Sequence, residues 1–219
     1  MIRIKICGIT RLEDAVTAAE ASADAIGLVF ARSPRQLTIH QARRIVAALP
    51  PLVSAVGVFV NARLATVVKT AAEVGLSEVQ LHGDETPEFV TKLSSARDRA
   101  LRVIKALRVR DKSFMDQVQA FCDASVGGIL LDAFSPQVRG GSGKRFDWDL
   151  VAGARKAGGL DDAPPLILAG GLTPQNVRAG IRRVRPWGVD VSSGVEDEPG
   201  IKSAEKIARF VAAVRKSGR

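Results

Sequence analysis

The chain predicts an α/β fold, a single (β/α)8 barrel of eight parallel strands that takes in residues 1–219 as one catalytic domain. Three observations predict it. Eight short β-branched runs alternate with eight amphipathic stretches from end to end. Their starts recur at intervals of roughly 21 to 38 residues, the length of a strand plus its crossover helix. The runs are also near-continuous in Val, Ile and Leu, as parallel strands buried on both faces require. Such alternation suits an open doubly wound sheet as well. Eight units in 219 residues favour closure, which removes both sheet edges.

Taken in order, the first run, IRIKIC, ends at Cys7, and Thr10 with Glu13 fits a capping box opening the first helix. ADAIGLVF ends at Phe30, with Arg35 just beyond, and Thr38 with Gln41 repeats the capping pattern. LVSAVGVFV leads to Asn61, and Gly75 after AAEV suits a left-handed helix end. SEVQLH ends at His82, and Thr86-Pro87 places a cap residue before a first-turn proline. LRVIKAL is read as a fifth strand ending near Lys105. VGGILLDAF carries Asp132, and Cys122 in the preceding helical stretch FMDQVQAFC reads as core filler. The widest interval follows, with glycine-rich loops at residues 139–145 and 158–165. PPLILAGG leads to Gly170 and Gly171, then Thr173-Pro174 repeats the cap-proline pair. GVDVSSG closes the series at Ser192, Ser193 and Gly194.

Composition narrows the function classes. Hydrophobic residues make up 46% and charged residues 25%, the balance of an ordinary soluble protein. No apolar run approaches the roughly 18 residues of a membrane span, and MIRIKICGIT has neither the apolar region nor the cleavage site of a signal peptide. A cytoplasmic location is expected, where two cysteines stay reduced. Two histidines and no CxxC or HExxH pattern argue against a metal site. The net charge of +9 admits nucleic acid, acidic membrane or anionic substrates as partners. Dispersed basic residues, no Tyr and no nucleic-acid signature leave a small anionic molecule, with no membrane and no obligate protein partner expected.

In a barrel of this kind the chemistry sits at the C-terminal ends of the strands. Glycines gather after the seventh and eighth strands, where such barrels frequently bind phosphate through backbone N–H groups. Gly170, Gly171, Ser193 and Gly194 are therefore candidate phosphate residues. GGSGKR after the sixth strand, with Gly141 and Gly143, is placed to close over the same anion. It is not a Walker A loop, since Val138 and Arg145 stand where that motif needs Gly and Ser/Thr. Cys7 and Asp132 are the proton-transfer candidates. A thiol lowered by nearby positive charge acts as a base near neutral pH, and a partly desolvated carboxyl group acts as an acid. Cys7 also reads as a small buried hydrophobe; Asp132 would be an expensive core residue without a partner.

With these residues in view, the sequence resembles the phosphoribosylanthranilate isomerase family along essentially its whole length. KICGIT, GLVFARSPR, GVFV, QLHG, GILLDAF, GGSGKRFDW, LAGGL and DVSSGVE follow in the family's order. The resemblance implies a (β/α)8 barrel and a cofactor-free Amadori rearrangement in tryptophan biosynthesis. Phosphoribosylanthranilate, an aminoaldose, becomes the aminoketose carboxyphenylamino-deoxyribulose phosphate. It further implies Cys7 as the base for the C2 proton and Asp132 as the acid for the furanose ring oxygen. Arg35 is implied as the holder of the anthranilate carboxylate, a task suited to its planar fork. Asp190 either accepts a hydrogen bond from the anthranilate nitrogen or fixes its loop. Gln80 and His82 are read as supporting residues.

Rival readings fit less well. The histidine-pathway ribonucleotide isomerase resembles a twofold repeat with aspartates ending strands one and five, and neither feature occurs here. Ribulose-phosphate epimerase needs a His/Asp metal set that two histidines cannot supply, and indole-glycerol-phosphate synthase uses catalytic lysines, of which Lys105 is a lone echo, and a longer N-terminal extension. A non-catalytic module binding nucleic acid rests on charge alone.

Overall fold

The structure, a computed structural model, describes residues 1–95, 101–124, 126–133 and 146–217. Strands and helices alternate as β1 (Arg3–Cys7), α1 (Leu12–Glu20), β2 (Ala25–Val29), α2 (Ile39–Ala47), β3 (Ser54–Phe59), α3 (Leu64–Val74), β4 (Glu78–Leu81) and α4 (Pro87–Ser94). The second half adds β5 (Arg102–Val109), α5 (Phe114–Cys122), β6 (Gly128–Ala133), α6 (Trp148–Lys156), β7 (Leu166–Leu168), α7 (Val177–Val184) and β8 (Gly188–Val191). A 3-10 turn (Ser193–Val195), a small antiparallel pair, β9 (Glu196–Glu198) with β10 (Ile201–Lys202), and α8 (Ala204–Arg215) complete the chain. The strands β1 to β8 pair in sequence order, all parallel, and β8 closes on β1. All eight sequence runs are strands of this closed barrel.

Side chains alternate along each strand, so one set packs outward against the helices and the other fills the barrel. The outward set merges with the helix faces into one large core that includes Ile4, Ile6, Val79, Phe114 and Phe210. Inside, Val56, Ile104, Ala106, Leu130, Ile167 and Ala169 form a separate apolar cluster. Above these layers, at the strands' C-terminal ends, the inward positions turn polar. Lys5 and Cys7 come from β1, Gln80 from β4, Asp132 from β6 and Asp190 from β8, all buried.

Local signals account for several helix ends. Thr38 and Gln41 form the full capping box of α2, Thr86 caps α4 ahead of Pro87, and Gly75 ends α3 in a left-handed conformation. Other expectations fail. Thr10 and Glu13 make no capping box: α1 is capped at Arg11 without a side-chain bond, because the Thr10 hydroxyl donates to the Gly200 carbonyl oxygen. The Thr173-Pro174 pair lies in a turn before α7, which starts at Val177. There Asn176 Oδ1 accepts from the Thr173 N–H at 2.9 Å. Lys105 does not end its strand: β5 continues to Val109, and Lys105 points away from the barrel mouth, bonding Glu85 at 2.9 Å and the Gly83 carbonyl at 2.8 Å. The residue 139–145 loop, with Gly141 and Gly143, lies outside the described residues.

Two glycines are fixed by close approach. Gly27 pairs in register with Cys7, and a Cβ there would meet the Cys7 Sγ at 2.6 Å. Gly194 lies against the Leu172 carbonyl, leaving no room for a side chain between the loops after β7 and β8. Overpacking of a filled interior typically costs about 1–3 kcal/mol. Gly27→Ala is therefore expected to destabilise the fold by about that amount in denaturant titration, and unchanged stability would show that the sulfur is not seated against β2.

Candidate active site

At the C-terminal end of the barrel lies a cavity of about 600 Å³, and Cys7, Arg35, Asp132 and Asp190 line it together with Gly170, Gly171, Ser193 and Gly194. These are the described residues the sequence singled out. Asp132 comes to the mouth from β6, three steps around the closed order from the β1 of Cys7. Gln80 and His82 line it too, from β4 and the residue beyond it.

Asp132 is held on both oxygens. Its Oδ1 accepts the Ala133 N–H at 2.8 Å, and its Oδ2 faces His82 Nε2 at 3.1 Å. Gln80 Nε2 approaches His82 Nδ1 at 3.0 Å. The imidazole is held between the Gln80 amide and the Asp132 carboxyl group, and which ring nitrogen carries the proton follows the protonation of Asp132. His82 is thus no loop-fixing residue alone; it orients Asp132. Gly170, at a φ of +78°, keeps the β7 loop close: a Cβ there would meet the Ala133 nitrogen at 2.6 Å and Asp132 Oδ1 at 3.0 Å. Packing accounts for this glycine without any ligand. Gly171 also takes a positive φ, +62°. Among the described residues no group accepts a hydrogen bond from the backbone N–H of Gly171, Ser193 or Gly194.

Around Cys7 the site is strongly charged. Lys5, two residues earlier on the same face of β1, donates to Asp190 Oδ1 at 2.7 Å, and both side chains are at most a tenth exposed. Arg35 forks onto Glu196, Nε to Oε1 at 2.7 Å and Nη2 to Oε2 at 2.6 Å. Lys202 adds a bond to the same Glu196 Oε1 at 2.7 Å and reaches the Ser192 carbonyl at 3.2 Å. Arg35 is therefore no surface charge. Asp190 is engaged by Lys5 and has its place fixed.

The titration of these groups follows. Burial pushes the Cys7 thiol up and Asp190 adds to this; Lys5 and Lys202 pull it down without fully offsetting burial. The sequence led us to expect a lowered thiol: the cations are present, but desolvation outweighs them. Burial alone disfavours the Lys5 ammonium, yet Asp190 and Cys7 overcome it and hold its proton more tightly than in an ordinary lysine. Burial likewise pushes the Glu196 carboxyl up, and Arg35 and Lys202 more than reverse this, keeping it below the usual carboxylate range.

Comparison with known proteins fits this geometry. The model of the N-(5'-phosphoribosyl)anthranilate isomerase family matches residues 4–213. The chain belongs to this family. Among relatives of that name, the Azotobacter vinelandii protein is 51% identical over 216 residues, 98% of each chain. The phosphoribosyl anthranilate isomerase of Thermotoga maritima superposes with a TM-score of 0.88 at 43% identity, covering 99% of this chain and 100% of that one. A phosphoribosyl anthranilate isomerase in complex with reduced 1-(o-carboxyphenylamino)-1-deoxyribulose 5-phosphate superposes at 0.85 with 40% identity, covering 99% and 100%. Among the described residues, no helix is long and apolar enough to cross a membrane.

For this isomerase family member, sequence reasoning missed Lys5, Lys202 and Glu196. KIC places Lys5 one alternation from Cys7, on the same strand face, a signal that was legible. Glu196 ends the DVSSGVE motif without its partner being readable there, and Lys202, on a hairpin rich in charge and turn residues, gave no signal. Glu196→Gln leaves Arg35 and Lys202 facing a neutral amide, and breaking a buried pair costs about 3–5 kcal/mol. Because the folded carboxyl titrates below its unfolded value, its contribution is full above the unfolded range and is lost as pH falls through the folded value. Melting curves should therefore show a wide gap between wild type and Glu196→Gln at pH 7 that narrows steadily below about pH 5. A gap independent of pH would show that the Glu196 charge contributes nothing.

Proposed function

We propose that the chain catalyses the Amadori rearrangement of N-(5'-phosphoribosyl)anthranilate to 1-(2-carboxyphenylamino)-1-deoxyribulose 5-phosphate in tryptophan biosynthesis, by acid–base catalysis without a cofactor. The observation that carries this reading is the placement of one thiol and one carboxyl group across a single cavity, between an arginine fork and two glycine loops. Asp132 gives a proton to the ring oxygen, the C1–O bond breaks, and the anthranilate nitrogen forms a Schiff base with C1. Cys7, as thiolate, takes the C2 proton and becomes a thiol, leaving an enolamine. Tautomerisation to the ketone completes the isomerisation with no net change in oxidation. The His82–Gln80 pair keeps Asp132 aimed at the reacting atoms.

The substrate's two anions find separate partners in this reading. The phosphate takes the N–H groups of Gly171, Ser193 and Gly194, and the anthranilate carboxylate takes Arg35. Glu196 holds the Arg35 fork. Lys202 stays on Glu196 at 2.7 Å, so Arg35 can pass from one carboxylate to another without stranding a buried anion. Phe30, stacked on Phe59 with centroids 5.2 Å apart, gives the aromatic ring an apolar wall beside Arg35.

Cys7→Ala is expected to lower turnover by about 10²- to 10⁴-fold, the usual contribution of a positioned base, while the fold persists. Asp132→Asn keeps the shape without an acidic proton, so kcat should fall far more than KM rises. Steady-state kinetics decide both, and a Cys7→Ala enzyme within threefold of wild type would end the assignment. Arg35→Ala should weaken binding of a reduced product analogue while leaving affinity for inorganic phosphate nearly unchanged. Gly171→Val should weaken both, phosphate most, because a side chain blocks the backbone's approach. Calorimetric titrations showing that Arg35→Ala and Gly171→Val lose phosphate affinity equally would overturn the two-ended placement.

A further inference from the structure

We propose that Lys5 is the positioning residue that makes Cys7 a base: its ammonium, clamped by Asp190 inside the barrel, is the counter-charge for the thiolate. The inference rests on the reading of Cys7 as the proton acceptor and supplies what that reading lacks, a source of thiolate in a buried site.

Three observations support it. Lys5 and Cys7 stand two residues apart on β1, so both point into the barrel mouth, and the register pairs Lys5 with Asp190. The ammonium is tied to Asp190 Oδ1 at 2.7 Å and is 6% exposed, so it cannot swing away to water. The position is also a poor one for a purely structural ion pair. Replacing a buried pair by apolar residues is often neutral or stabilising, and the neighbouring inward positions, Val56, Ile104, Leu130 and Ile167, show that this interior accepts apolar filling. A lysine and an aspartate are kept here instead.

Charge counting points the same way. The groups facing Cys7 are Lys5 from its own strand, Asp190 from β8, Lys202 from β10 and Arg35 from the loop after β2. Arg35 and Lys202 share one carboxylate, Glu196. Three cations against two carboxylates leave one positive charge over, which a thiolate at Cys7 cancels. Lys5 is the cation best placed to use it. Its ammonium spends one of three donors on Asp190 and stands one alternation from the thiol, whereas Lys202 divides its donors between Glu196 and the Ser192 carbonyl and Arg35 forks onto Glu196. The Lys5 proton is also held more tightly than in an ordinary lysine, so the ammonium persists while the thiol ionises.

The test titrates the thiol directly, without turnover. Alkylation of the free enzyme by iodoacetamide is followed across pH, with peptide masses scoring Cys7 apart from Cys122. An opposite charge a few ångströms away shifts a pKa by about 1–3 units. Lys5→Met should therefore raise the Cys7 midpoint by about one pH unit or more and slow alkylation at pH 8 by about tenfold. Asp190→Asn removes an anion and leaves Lys5 with the thiolate alone, so its midpoint should fall. Opposite signs are the signature, since a loss of packing alone would move both variants in one direction. No shift, or shifts of like sign, overturns the proposal, and if Lys5→Met does not fold, an unchanged or raised midpoint in Asp190→Asn does so by itself. Retained turnover in Cys7→Ala would instead remove the base assignment while leaving the titration result standing.

Discussion

Glu196 carries the mouth of this barrel. One carboxylate takes the fork of Arg35 from the loop after β2 and the ammonium of Lys202 from β10, while its own residue opens β9. The loop after β2 and the β9–β10 hairpin, 161 residues apart at Arg35 and Glu196, meet on two oxygens. Charge-assisted bonds of 2.6–2.7 Å in a buried setting fix direction as well as distance. The loop that brings Arg35 over the cavity is therefore held by an ion pair as well as by buried Leu37 and its N–H bond to the Val29 carbonyl. Lys202 in turn reaches Ser192, so the same carboxylate steadies the loop after β8 where Ser193 and Gly194 lie.

A closed parallel barrel makes this arrangement natural. Register places Lys5 opposite Asp190 and Asp132 opposite Arg108, so groups from neighbouring strands meet at a height set by backbone hydrogen bonds. Side-chain direction then follows from alternation, with little freedom left. What remains adjustable is chemistry at each inward position. On the β1–β8 side that chemistry is cationic around a thiol. Around β4 and β6 it is a chain of amide, imidazole and carboxyl group, Gln80 to His82 to Asp132. In the proposed reaction the first side would take a proton and the second would give one.

Most of the fold was legible because it is written locally. β-branched runs mark all eight strands, and Thr38, Thr86 and Gly75 end helices through contacts within a few residues. Thr10 misled because its hydroxyl goes to Gly200, 190 residues away, and no local pattern reports such a partner. β5 was cut short because Arg108 interrupts its apolar run, though Arg108 reaches Asp84 of the β4 loop at 3.0 Å rather than ending the strand. The candidate site divides the same way. Cys7, Asp132 and the glycines stand at strand ends, where position alone suggests chemistry. Lys5 and Glu196 take their meaning from Asp190 and Arg35, 185 and 161 residues distant, and a single chain read in order does not display those pairs.

The sign of the thiol shift exposes the constraint behind the polar layer. Burial works against the ions of Cys7, Lys5 and Glu196, and in the proposed role of Cys7 a thiolate forms there nonetheless. The conflict is eased, without being removed, by surplus rather than by simple pairing. If each cation near Cys7 had its own carboxylate, the thiolate would add an uncompensated negative charge to a low-dielectric site. Sharing Glu196 between Arg35 and Lys202 frees one positive charge without exposing it to water. The same sharing lets Arg35 exchange partners at little cost. In the proposed reaction Lys5, tied to Asp190 rather than to Glu196, stays beside Cys7 while Arg35 turns to the substrate carboxylate.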